Sequence, residues 1–453
     1  MRTGSSRRST SPALSKRVAA RLVAGAVTAT ACGIAVAVLP GAAQAGSTAP
    51  VAAAVSSVAR TGATDLGPRV GPPPAAGRTV AASPQLLSYL DAVSCTSSKF
   101  CVAVGYSSGV AGHAKTLIES WDGRRWSLMK SPNVSTSDYN QLYAVSCASS
   151  SSCAAVGRAH NSRSGFQQTL TESWNGSSWM IVPSFDTSTG AENILDGVSC
   201  TLAGSCIAVG YAADTKLGVW HTLVESWNGR AWEEVPSPNA SATENNFLLA
   251  VSCPSASDCT AAGYHYRNLT LTLVESWNGH RWSIVNSPNA STTGHNILNA
   301  VSCTSASDCT SVGTSYSPAE TTPTNRSLIE TWDGSRWALT RSPNTSTTER
   351  NTLNAISCDA NRGCFATGIY VSHSNGFNQT LILSESGSGW TIASSPNARA
   401  PSRGDDNWLS GVSCVSRSNC TVVGYYTNTK AVSLTLIETW NGRHWTIANS
   451  ANP

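Results

Sequence analysis

A single tripeptide, Val/Ile-Ser-Cys, recurs seven times between residues 93 and 414, at intervals of 50 to 56 residues. Each copy is followed six positions later by a second cysteine, and then by a short apolar stretch that ends in glycine. After a variable segment, most copies continue with Thr/Ser-Leu-x-Glu-Ser/Thr-Trp, Asn-Gly or Asp-Gly, and a second tryptophan. A repeat of this length in many copies indicates an array of one supersecondary unit.

Each copy predicts four short strands, which in the first copy lie at about residues 89–95, 101–107, 116–121 and 125–130. These segments contain β-branched and aromatic residues and are bounded by Gly, Ser, Asn and Pro. The Asn-Gly or Asp-Gly pair between the two tryptophans predicts a tight hairpin in which both central residues have positive φ. No segment has a sustained apolar period of 3.6 residues, so we expect almost no helix.

Four strands per repeat and seven repeats predict an all-β fold, a seven-bladed β-propeller of four-stranded antiparallel blades. Ring closure buries both faces of every blade against its neighbours, which a lone sheet cannot achieve. An open β-solenoid is the structural alternative, although solenoid coils usually contain fewer residues. The predicted propeller occupies residues 85–453, with blades at about 85–133, 134–186, 187–239, 240–289, 290–344, 345–397 and 398–453.

The N-terminal region differs from the repeats. Residues 1–45 are typical of a secretory signal peptide, with a basic segment, the apolar stretch Leu22–Leu39 and a small-residue cleavage motif. Arg7-Arg8 leaves twin-arginine export open, and Cys32 leaves a lipoprotein anchor open. Residues 46–84 are rich in Ala, Gly, Pro and Val, as in a disordered linker or propeptide. We therefore expect a secreted protein, extracellular or cell-wall associated, with no membrane span after signal cleavage.

The charge distribution argues against nucleic acid as a partner. The formal net charge is +4, but the first 21 residues contain six basic residues and no acidic one. The predicted propeller is therefore close to neutral, whereas nucleic-acid binding needs a clustered basic face.

The repeat resembles known propeller families. The order of its strands is similar to kelch-type propellers, although kelch repeats have a glycine pair where this chain has a single glycine such as Gly105. The turn Ser120–Trp126 is similar to the Asp-box of sialidase-type propellers, but it lacks one residue between Asp and Gly, and most copies have Asn. Residues 85–453 as a whole resemble secreted bacterial proteins with the same Val-Ser-Cys and Glu-Ser-Trp repeat. The resemblance implies a propeller and implies no activity.

Fourteen cysteines form seven pairs of identical spacing, and Cys32 lies in the predicted signal segment. In a secreted chain an even number of cysteines favours disulfides. A zinc site is the alternative, but it needs four convergent ligands, and no histidine or further cysteine recurs in register. We predict one disulfide per blade between the first and second strands: Cys95–Cys101, Cys147–Cys153, Cys200–Cys206, Cys253–Cys259, Cys303–Cys309, Cys358–Cys364 and Cys414–Cys420.

A glutamate recurs in the Glu-Ser-Trp segment. Glycosidases use paired carboxylates, but a ring with one active centre needs different residues in different blades. Sevenfold recurrence therefore favours a structural role, as an acceptor for a backbone or indole N–H group. The segment Glu385–Trp390, from the glutamate to the second tryptophan, is two residues shorter than in the other repeats and lacks the first tryptophan. This predicts a tighter turn and a local packing defect in blade six. The seven residues are Glu119, Glu172, Glu225, Glu275, Glu330, Glu385 and Glu438.

Function is expected where the repeats differ, in the loops. If the Val-Ser-Cys strand is innermost, the connectors into it and the loops after the glycine-ended strand lie on one face. Aromatic, His, Arg and Asp side chains there suit recognition of a sugar or a peptide, and ordinary exposed loop residues are the alternative. The binding candidates are His160, Arg163, Trp220, His221, Tyr266, Arg267, His295, Arg350, His373, Asp405, Asp406 and Trp408.

A second candidate site is the central channel. The position four residues before the first cysteine of each repeat is often polar. On a two-residue period it shares a face with the Val before Ser-Cys. If that face lines the channel, Asp91, Asp196, Asn299 and Asn354 could hold calcium through oxygen ligands. A water-filled polar channel is the alternative, and no other metal or cofactor is predicted.

Three functions remain open. The sequence favours a secreted, non-enzymatic propeller that binds an extracellular glycan or a protein partner through its variable loops. A glycan-active hydrolase or lyase of sialidase-like type would need an arginine cluster or a non-recurrent acid pair on the inner strands, where arginine is almost lacking. A structural or adhesive surface protein is the third. No Ser-His-Asp order, phosphate loop or metal motif stands out, so no catalytic residue is assigned, and we expect a monomer.

Overall fold

The computed structural model describes residues 87–453 except 109–112, 136, 189, 203–204, 317–323, 360–362, 375, 399–404, 429 and 431. The predicted signal peptide and linker lie outside the described residues. No helix in the described part of the chain is long and apolar enough to cross a membrane.

The described residues form seven sheets, each of four antiparallel strands that are consecutive in the chain. The predicted all-β, seven-bladed propeller is therefore confirmed. The strands are β1–β4 (Leu87–Ser97, Phe100–Ser108, Ala114–Trp121, Trp126–Met129), β5–β8 (Asn140–Ser149, Ser152–Asn161, Phe166–Trp174, Trp179–Ile181), β9–β12 (Asn193–Leu202, Ser205–Asp214, Val219–Trp227, Trp232–Glu234), β13–β16 (Asn245–Ser255, Asp258–Tyr266, Thr270–Trp277, Trp282–Val285), β17–β20 (His295–Ser305, Asp308–Tyr316, Arg326–Trp332, Trp337–Thr340), β21–β24 (Arg350–Cys358, Cys364–Val371, Asn378–Ser386, Gly389–Ala393) and β25–β28 (Asn407–Ser416, Asn419–Thr427, Ser433–Trp440, Trp445–Ala448).

The first strand of every blade is the innermost strand of the ring. Each first strand contacts the first strands of both neighbouring blades, from β1 with β5 round to β25 with β1. Blade seven packs directly on blade one, since β1 also contacts β26 and β27. Because every described sheet consists of four consecutive strands, the ring closes by packing between these two blades without exchange of a strand.

A belt of hydrogen bonds joins the seven inner strands, and the serine of the tripeptide makes it. In each blade this serine hydroxyl oxygen accepts the backbone N–H of the tripeptide cysteine of the next blade. The donor–acceptor pairs, at 2.9–3.1 Å, are Cys147–Ser94, Cys200–Ser146, Cys253–Ser199, Cys303–Ser252, Cys358–Ser302, Cys414–Ser357 and Cys95–Ser413. The last of these pairs closes the ring.

Six of the recurring glutamates form a second set of links between blades. Each is at most 1% exposed and accepts the hydroxyl of a serine in the connector that follows the preceding blade. The shared donor is therefore a serine hydroxyl rather than an indole. The predicted backbone N–H donor is present at two of the glutamates, from Ala451 to Glu119 and from Phe185 to Glu225. Burial raises the pKa of these carboxyl groups, to about 8 at Glu172, Glu275 and Glu438 and to about 7 at Glu225 and Glu330. The pairs are Ser450–Glu119 (2.8 Å), Ser131–Glu172 (3.1 Å), Ser184–Glu225 (2.8 Å), Ser237–Glu275 (2.6 Å), Ser287–Glu330 (2.5 Å) and Ser395–Glu438 (3.1 Å).

Blade six departs from this pattern at two positions. In the register of its strands, the fully buried Leu383 takes the position that the glutamate has in the other blades. Glu385 pairs with Trp390, as the first tryptophan pairs with the second elsewhere. The prediction of a segment two residues shorter was wrong, because Glu385 and Trp390 stand five positions apart, as the two tryptophans do elsewhere. The predicted tighter turn is confirmed, because Ser386 also pairs with Gly389 and leaves a two-residue turn, whereas four residues separate the paired tryptophans in the other blades. Glu385 occupies the position of the first tryptophan, not that of the recurring glutamate.

Every inner strand carries a β-bulge four residues before its first cysteine. In β1 the register to β2 shifts between Leu90 and Ala92, so Asp91 is the inserted residue, and the other six inner strands shift at the same place. A bulge interrupts the two-residue period of a strand. The expectation that Asp91 alternates onto the face of Val93 was wrong, because Leu90 packs in the same core cluster as Val93.

The glycine that ends the apolar stretch of the second strand faces this bulge. A Cβ atom on Gly105 would lie 2.0 Å from the carbonyl oxygen of Tyr89, and the corresponding distance at the other six glycines is 1.8–2.0 Å. None of these glycines has positive φ. The close approach of the bulged backbone is therefore what excludes a side chain here.

The hairpin between the third and fourth strands differs from the predicted turn. Only its glycine has positive φ, at 86–93° in six blades, and the preceding Asp or Asn does not. Instead, the side-chain oxygen of Asp122 accepts the backbone N–H groups of Arg124 and Arg125 at 2.8 and 2.9 Å. The prediction of two positive-φ residues was wrong, because a side-chain cap holds a longer loop between the tryptophans.

The tryptophans and the cysteines complete each blade. The second tryptophan is 5–8% exposed in all seven blades and packs in the core between blades. The first, which blade six lacks, is half-buried. In five blades its indole N–H donates to a carbonyl oxygen of the loop between the first two strands, as Trp121 does to Ser98 O at 3.0 Å. All seven predicted disulfides are present, each joining the first and second strands of one blade. Closure of so small a loop contributes about 2 kcal/mol per blade.

Candidate functional site

The antiparallel order of the strands gives the ring two different faces. Leu87, at the start of β1, pairs with Ser108, at the end of β2, and β3 begins at the same end of the sheet. The connectors into the inner strands and the loops between second and third strands therefore lie together, on what we call the loop face. The disulfide turns and the tryptophan hairpins lie at the opposite end, on what we call the hairpin face.

Buried asparagines hold the connectors of the loop face. Asn246 shows the pattern: its Oδ1 accepts the N–H of Ala240 at 2.8 Å. Its Nδ2 donates to the carbonyl oxygens of Ser241 and Glu244 at 2.9 and 2.7 Å. These asparagines were not among the predicted site residues, although their constant spacing, seven residues before the first cysteine, is visible in six repeats. They are Asn140, Asn193, Asn246, Asn296, Asn351 and Asn407, each with 0% exposure.

Four half-buried aromatic rings form a cluster between blades three and four on the loop face. Tyr211 makes edge contacts with Trp220 at 5.2 Å and with Phe247 at 4.8 Å between ring centroids. Phe247 stacks on Tyr264 at 4.8 Å. Burial raises the pKa of both tyrosines, so their hydroxyl groups remain protonated hydrogen-bond donors. Trp220 was a predicted binding residue, and the fold adds three aromatic neighbours to it.

A second cluster of four rings bridges blades seven and one. Trp408 stacks on Tyr425 at 6.0 Å between centroids. Tyr425 makes an edge contact with Tyr89 at 4.7 Å, and Tyr89 stacks on Tyr106 at 4.9 Å. Only Trp408 was predicted. A signal for the tyrosines exists in the sequence, because an aromatic residue directly follows the recurring glycine in four of the seven repeats.

Blade two places a cation between these two clusters. Arg158 follows the recurring glycine, and its Nε donates to Gln141 Oε1 at 3.0 Å. Its guanidinium carbon lies 5.5 Å from the centroid of the Tyr143 ring. Burial alone would lower the pKa of Arg158, but the nearby tyrosines and the carboxylates of Asp196 and Glu192 raise it. The guanidinium group therefore stays charged.

Blades five and six lack such groups at the same positions, where they have Ile297 paired with Thr314 and Thr352 paired with Ile369. The residues paired next to the bulge, together with Trp220 that packs on Tyr211, thus form an arc of aromatic and basic side chains over blades seven, one, two, three and four. We call this the aromatic arc. It breaks the sevenfold repetition of the ring on the loop face.

Acidic neighbours position three of the predicted binding residues. His160 lies 3.7 Å from Asp138, His221 lies 3.9 Å from Asp214, and Arg267 lies 3.7 Å from Glu244. In blades two and four the acid belongs to the connector and the base to the following hairpin. The pairs therefore tie two kinds of loop together, while Arg267 remains 73% exposed.

The other predicted residues are spread around the same face. His295 stacks on Tyr316 at 4.4 Å, and burial lowers its pKa. Asp406 Oδ1 accepts the backbone N–H of Asn378 at 2.8 Å. The side chain of Asp405 is buried, Tyr266 is half-buried, and Arg163, Arg350 and His373 are exposed. The structure brings Trp220 and Trp408 into ring clusters but does not gather all twelve residues into one pocket.

The position that was predicted to line the channel, four residues before the first cysteine, is the inserted residue of the β-bulge in every inner strand. The amide Nδ2 of Asn299 donates to Leu353 O, and that of Asn354 donates to Leu409 O, both at 2.8 Å. These two side chains therefore link neighbouring blades. In the described part of the chain, no group of three or more His, Cys, Asp or Glu side chains is placed to hold a metal ion.

Comparison with known proteins gives distant structural likenesses. No protein-family model and no curated protein matches the sequence. The chain is similar to the six-bladed Aleuria aurantia lectin (TM-score 0.40, 12% identity, 70% of this chain and 98% of that chain). It is similar to the propeller domain of the Trilobed protease from Pyrococcus furiosus (0.47, 9%, 80% and 96%). It is also similar to a polysaccharide lyase, an ulvan lyase (0.43, 10%, 65% and 80%). The kelch and Asp-box resemblances stay predictions.

Proposed function

We propose that this chain is an extracellular, non-enzymatic binding protein that recognises a glycan through the aromatic arc of the loop face. The observation that carries the proposal is the arc over five neighbouring blades, with ring clusters in blades seven and one and in blades three and four, and with Arg158 over the Tyr143 ring between them. Seven disulfides fit an oxidising, extracellular environment.

The chemistry of the arc suits a sugar. Pyranose rings pack their C–H faces on flat aromatic side chains, and their hydroxyl groups need both donors and acceptors nearby. Trp220 and Trp408 supply indole surface at two separate positions of the arc. Arg158 and the protonated tyrosines supply donors, and a tyrosine hydroxyl oxygen can also accept a hydrogen bond. Gln141 Oε1 accepts from Arg158 Nε at 3.0 Å and from the Tyr143 hydroxyl at 2.7 Å, so it fixes the position of these groups. Two aromatic clusters on either side of Arg158 suit an extended chain of several sugar units.

The test is binding of the purified secreted chain to a glycan array, followed by calorimetric titration of the best ligand. We expect Trp220→Ala and Trp408→Ala each to weaken binding about tenfold or more, since a central aromatic contact is worth at least about 1.4 kcal/mol. Trp121→Ala is the matched control. Trp121 is also half-buried, but it lies on the hairpin face, and its replacement should leave affinity unchanged.

Other outcomes would overturn specific parts of the proposal. Equal affinity of all three tryptophan variants and the wild type would remove the aromatic arc as the site. Capture of a protein ligand without any glycan binding would favour the protein-partner alternative. Release of new reducing ends or unsaturated products from the bound glycan would overturn the non-enzymatic assignment and favour a hydrolase or lyase.

A further inference from the structure

The repeat breaks on the hairpin face as well as on the loop face, and it breaks between blades five and six. Glu385 stands where the other six blades have the first tryptophan of the hairpin. In those blades this tryptophan lies at the end of the third strand, close to the disulfide turn of its own blade. A carboxylate side chain fills less space than an indole, so this blade boundary is expected to be more open than the others.

A groove of about 340 Å³ lies at this boundary, with Glu385 and the Cys358–Cys364 disulfide of blade six on one side. Blade five supplies the other side, mainly from the hairpin-face ends of its first three strands and also from Thr340 of its fourth strand. A second hollow of about 540 Å³ lies between the same two blades and reaches Trp390. The position where the repeat loses its tryptophan therefore coincides with open space between the blades.

The groove is lined by an indole, hydroxyl groups and carboxylates. The half-buried Trp332 of blade five forms part of its wall. Thr310 and Thr331 present hydroxyl groups, and Asp308 and Asp333 join Glu385 as carboxylates. No Lys, Arg or His is among the described residues that line it.

Local hydrogen bonds orient these carboxylates. Thr304 donates its hydroxyl to Asp308 Oδ2 at 2.9 Å. Asp333 Oδ1 accepts the backbone N–H groups of Ser335 and Arg336 at 2.8 and 2.9 Å. The Ser335 hydroxyl, 2.6 Å from Asp333 Oδ1, and these backbone N–H groups lower the pKa of Asp333 to about 2. Arg336 lies 3.8 Å from Asp333 Oδ2 and offsets part of its charge. With two further carboxylates, Asp308 and Glu385, the described lining is still acidic and would repel an acidic sugar.

We propose that this groove is a second carbohydrate site, which binds one ring of a glycan without negative charge, either neutral or carrying an amino group. The indole of Trp332 offers a flat surface for the C–H face of the ring. The hydroxyl and carboxylate oxygens accept hydrogen bonds from sugar hydroxyl or ammonium groups, and charge-assisted bonds of this kind are the stronger ones. The site lies on the hairpin face, so it stands independently of the function proposed for the aromatic arc.

The test is a substitution that gives blade six the tryptophan found in the other six blades. Glu385→Trp places an indole where the other six blades have one and should fill the groove. We expect titration with neutral and amino-sugar oligosaccharides to show at least a tenfold loss of affinity in this variant. The melting temperature should be unchanged or higher, because a hollow between packed blades has been filled. Glu385→Gln, which keeps the size of the side chain, should weaken amino-sugar binding several-fold and leave neutral sugars nearly unaffected.

Matched controls separate the two sites. Leu383→Glu restores the other consensus residue of blade six outside the groove, and Trp220→Ala disrupts the loop face. Both should leave binding in the groove unchanged. The proposal is overturned if the wild type binds no non-acidic oligosaccharide, or if Glu385→Trp and Glu385→Gln both bind like the wild type. Preferred binding of uronate oligosaccharides that survives Glu385→Trp would also overturn it, whatever the result at the aromatic arc.

Discussion

The glycine opposite the bulge gives the sharpest test of how this ring is built. In blade six, a Cβ atom at Gly368 would lie 2.0 Å from the carbonyl oxygen of Thr352 and 2.9 Å from the Cα of Leu353. Both neighbours are backbone atoms of the inner strand. Gly368→Ala therefore requires β21 and β22 to separate, because no side chain can rotate out of the way.

The expected cost follows from these distances. Real Cβ contacts are at least 3.0 Å, so the strands must separate by about 1 Å, and a ladder hydrogen bond of about 2.9 Å then lengthens beyond bonding distance. Two such bonds, each leaving buried groups unpaired at about 1–3 kcal/mol, give a loss of about 2–6 kcal/mol. The entropy that alanine removes from the unfolded chain returns about 0.4–1 kcal/mol. We expect a net destabilisation of about 3 kcal/mol.

The assay is denaturation in guanidinium chloride with the disulfides intact, followed by tryptophan fluorescence. Gly387→Ala is the control in the same blade, since a Cβ atom there meets nothing within 4 Å and φ is not positive. The control should be neutral or slightly more stable than the wild type. If both variants unfold at the same denaturant concentration, close backbone approach at the bulge is not the reason for the recurring glycine.

Two further predictions concern the links between blades. The buried glutamates have pKa values raised from 4.5, to about 8 at Glu275, so the folded ring binds more protons than the unfolded chain between these values, and its stability falls as pH rises. The melting temperature should be higher at pH 5.5 than at pH 8.5, and Glu275→Gln should reduce the difference; a melting temperature that rises with pH would contradict this. Ser146→Ala removes the acceptor of the Cys200 N–H and should lower the free energy of unfolding by about 1–2 kcal/mol in urea denaturation. The exposed Ser178→Ala should have almost no effect, and an equal effect of both would contradict the hydrogen-bonded belt.

Much of the fold could be predicted because the same cysteine spacing, turn residues and short apolar segments recur in seven repeats. Paired cysteines at one spacing indicated the disulfides, and short apolar segments between Gly, Ser and Asn indicated the strands. The role of the recurring glutamates could not be traced to a partner in the same way. Their serine donors belong to the preceding blade, and only packing of one blade on the next brings the two residues together.

Two predictions were wrong because strand pairing, rather than sequence spacing, decides which position a residue takes in the sheet. Glu385-Ser386 has the residues of the Glu-Ser motif, but strand pairing places Glu385 at a tryptophan position and Leu383 at the buried glutamate position. The bulge at Asp91 likewise breaks an alternation that spacing alone suggested. At Asp91 the one inserted residue exchanges the faces of the strand. At Glu385 a shift of two residues keeps the face but moves the side chain from the buried glutamate position to the end of the strand. In both cases only the backbone hydrogen bonds decide the position.

The candidate sites divide in the same way. The sequence by itself determined a seven-bladed ring with one disulfide per blade, because periodicity, cysteine spacing and turn residues are local properties that each repeat carries. It also directed attention to loops with Trp220 and Trp408. Only the tertiary structure decided which residues from neighbouring blades meet, since ring closure places Tyr89 of blade one against Tyr425 of blade seven, 336 positions later in the chain. The aromatic arc and the groove beside Glu385 exist at contacts between blades, and no single repeat contains either of them.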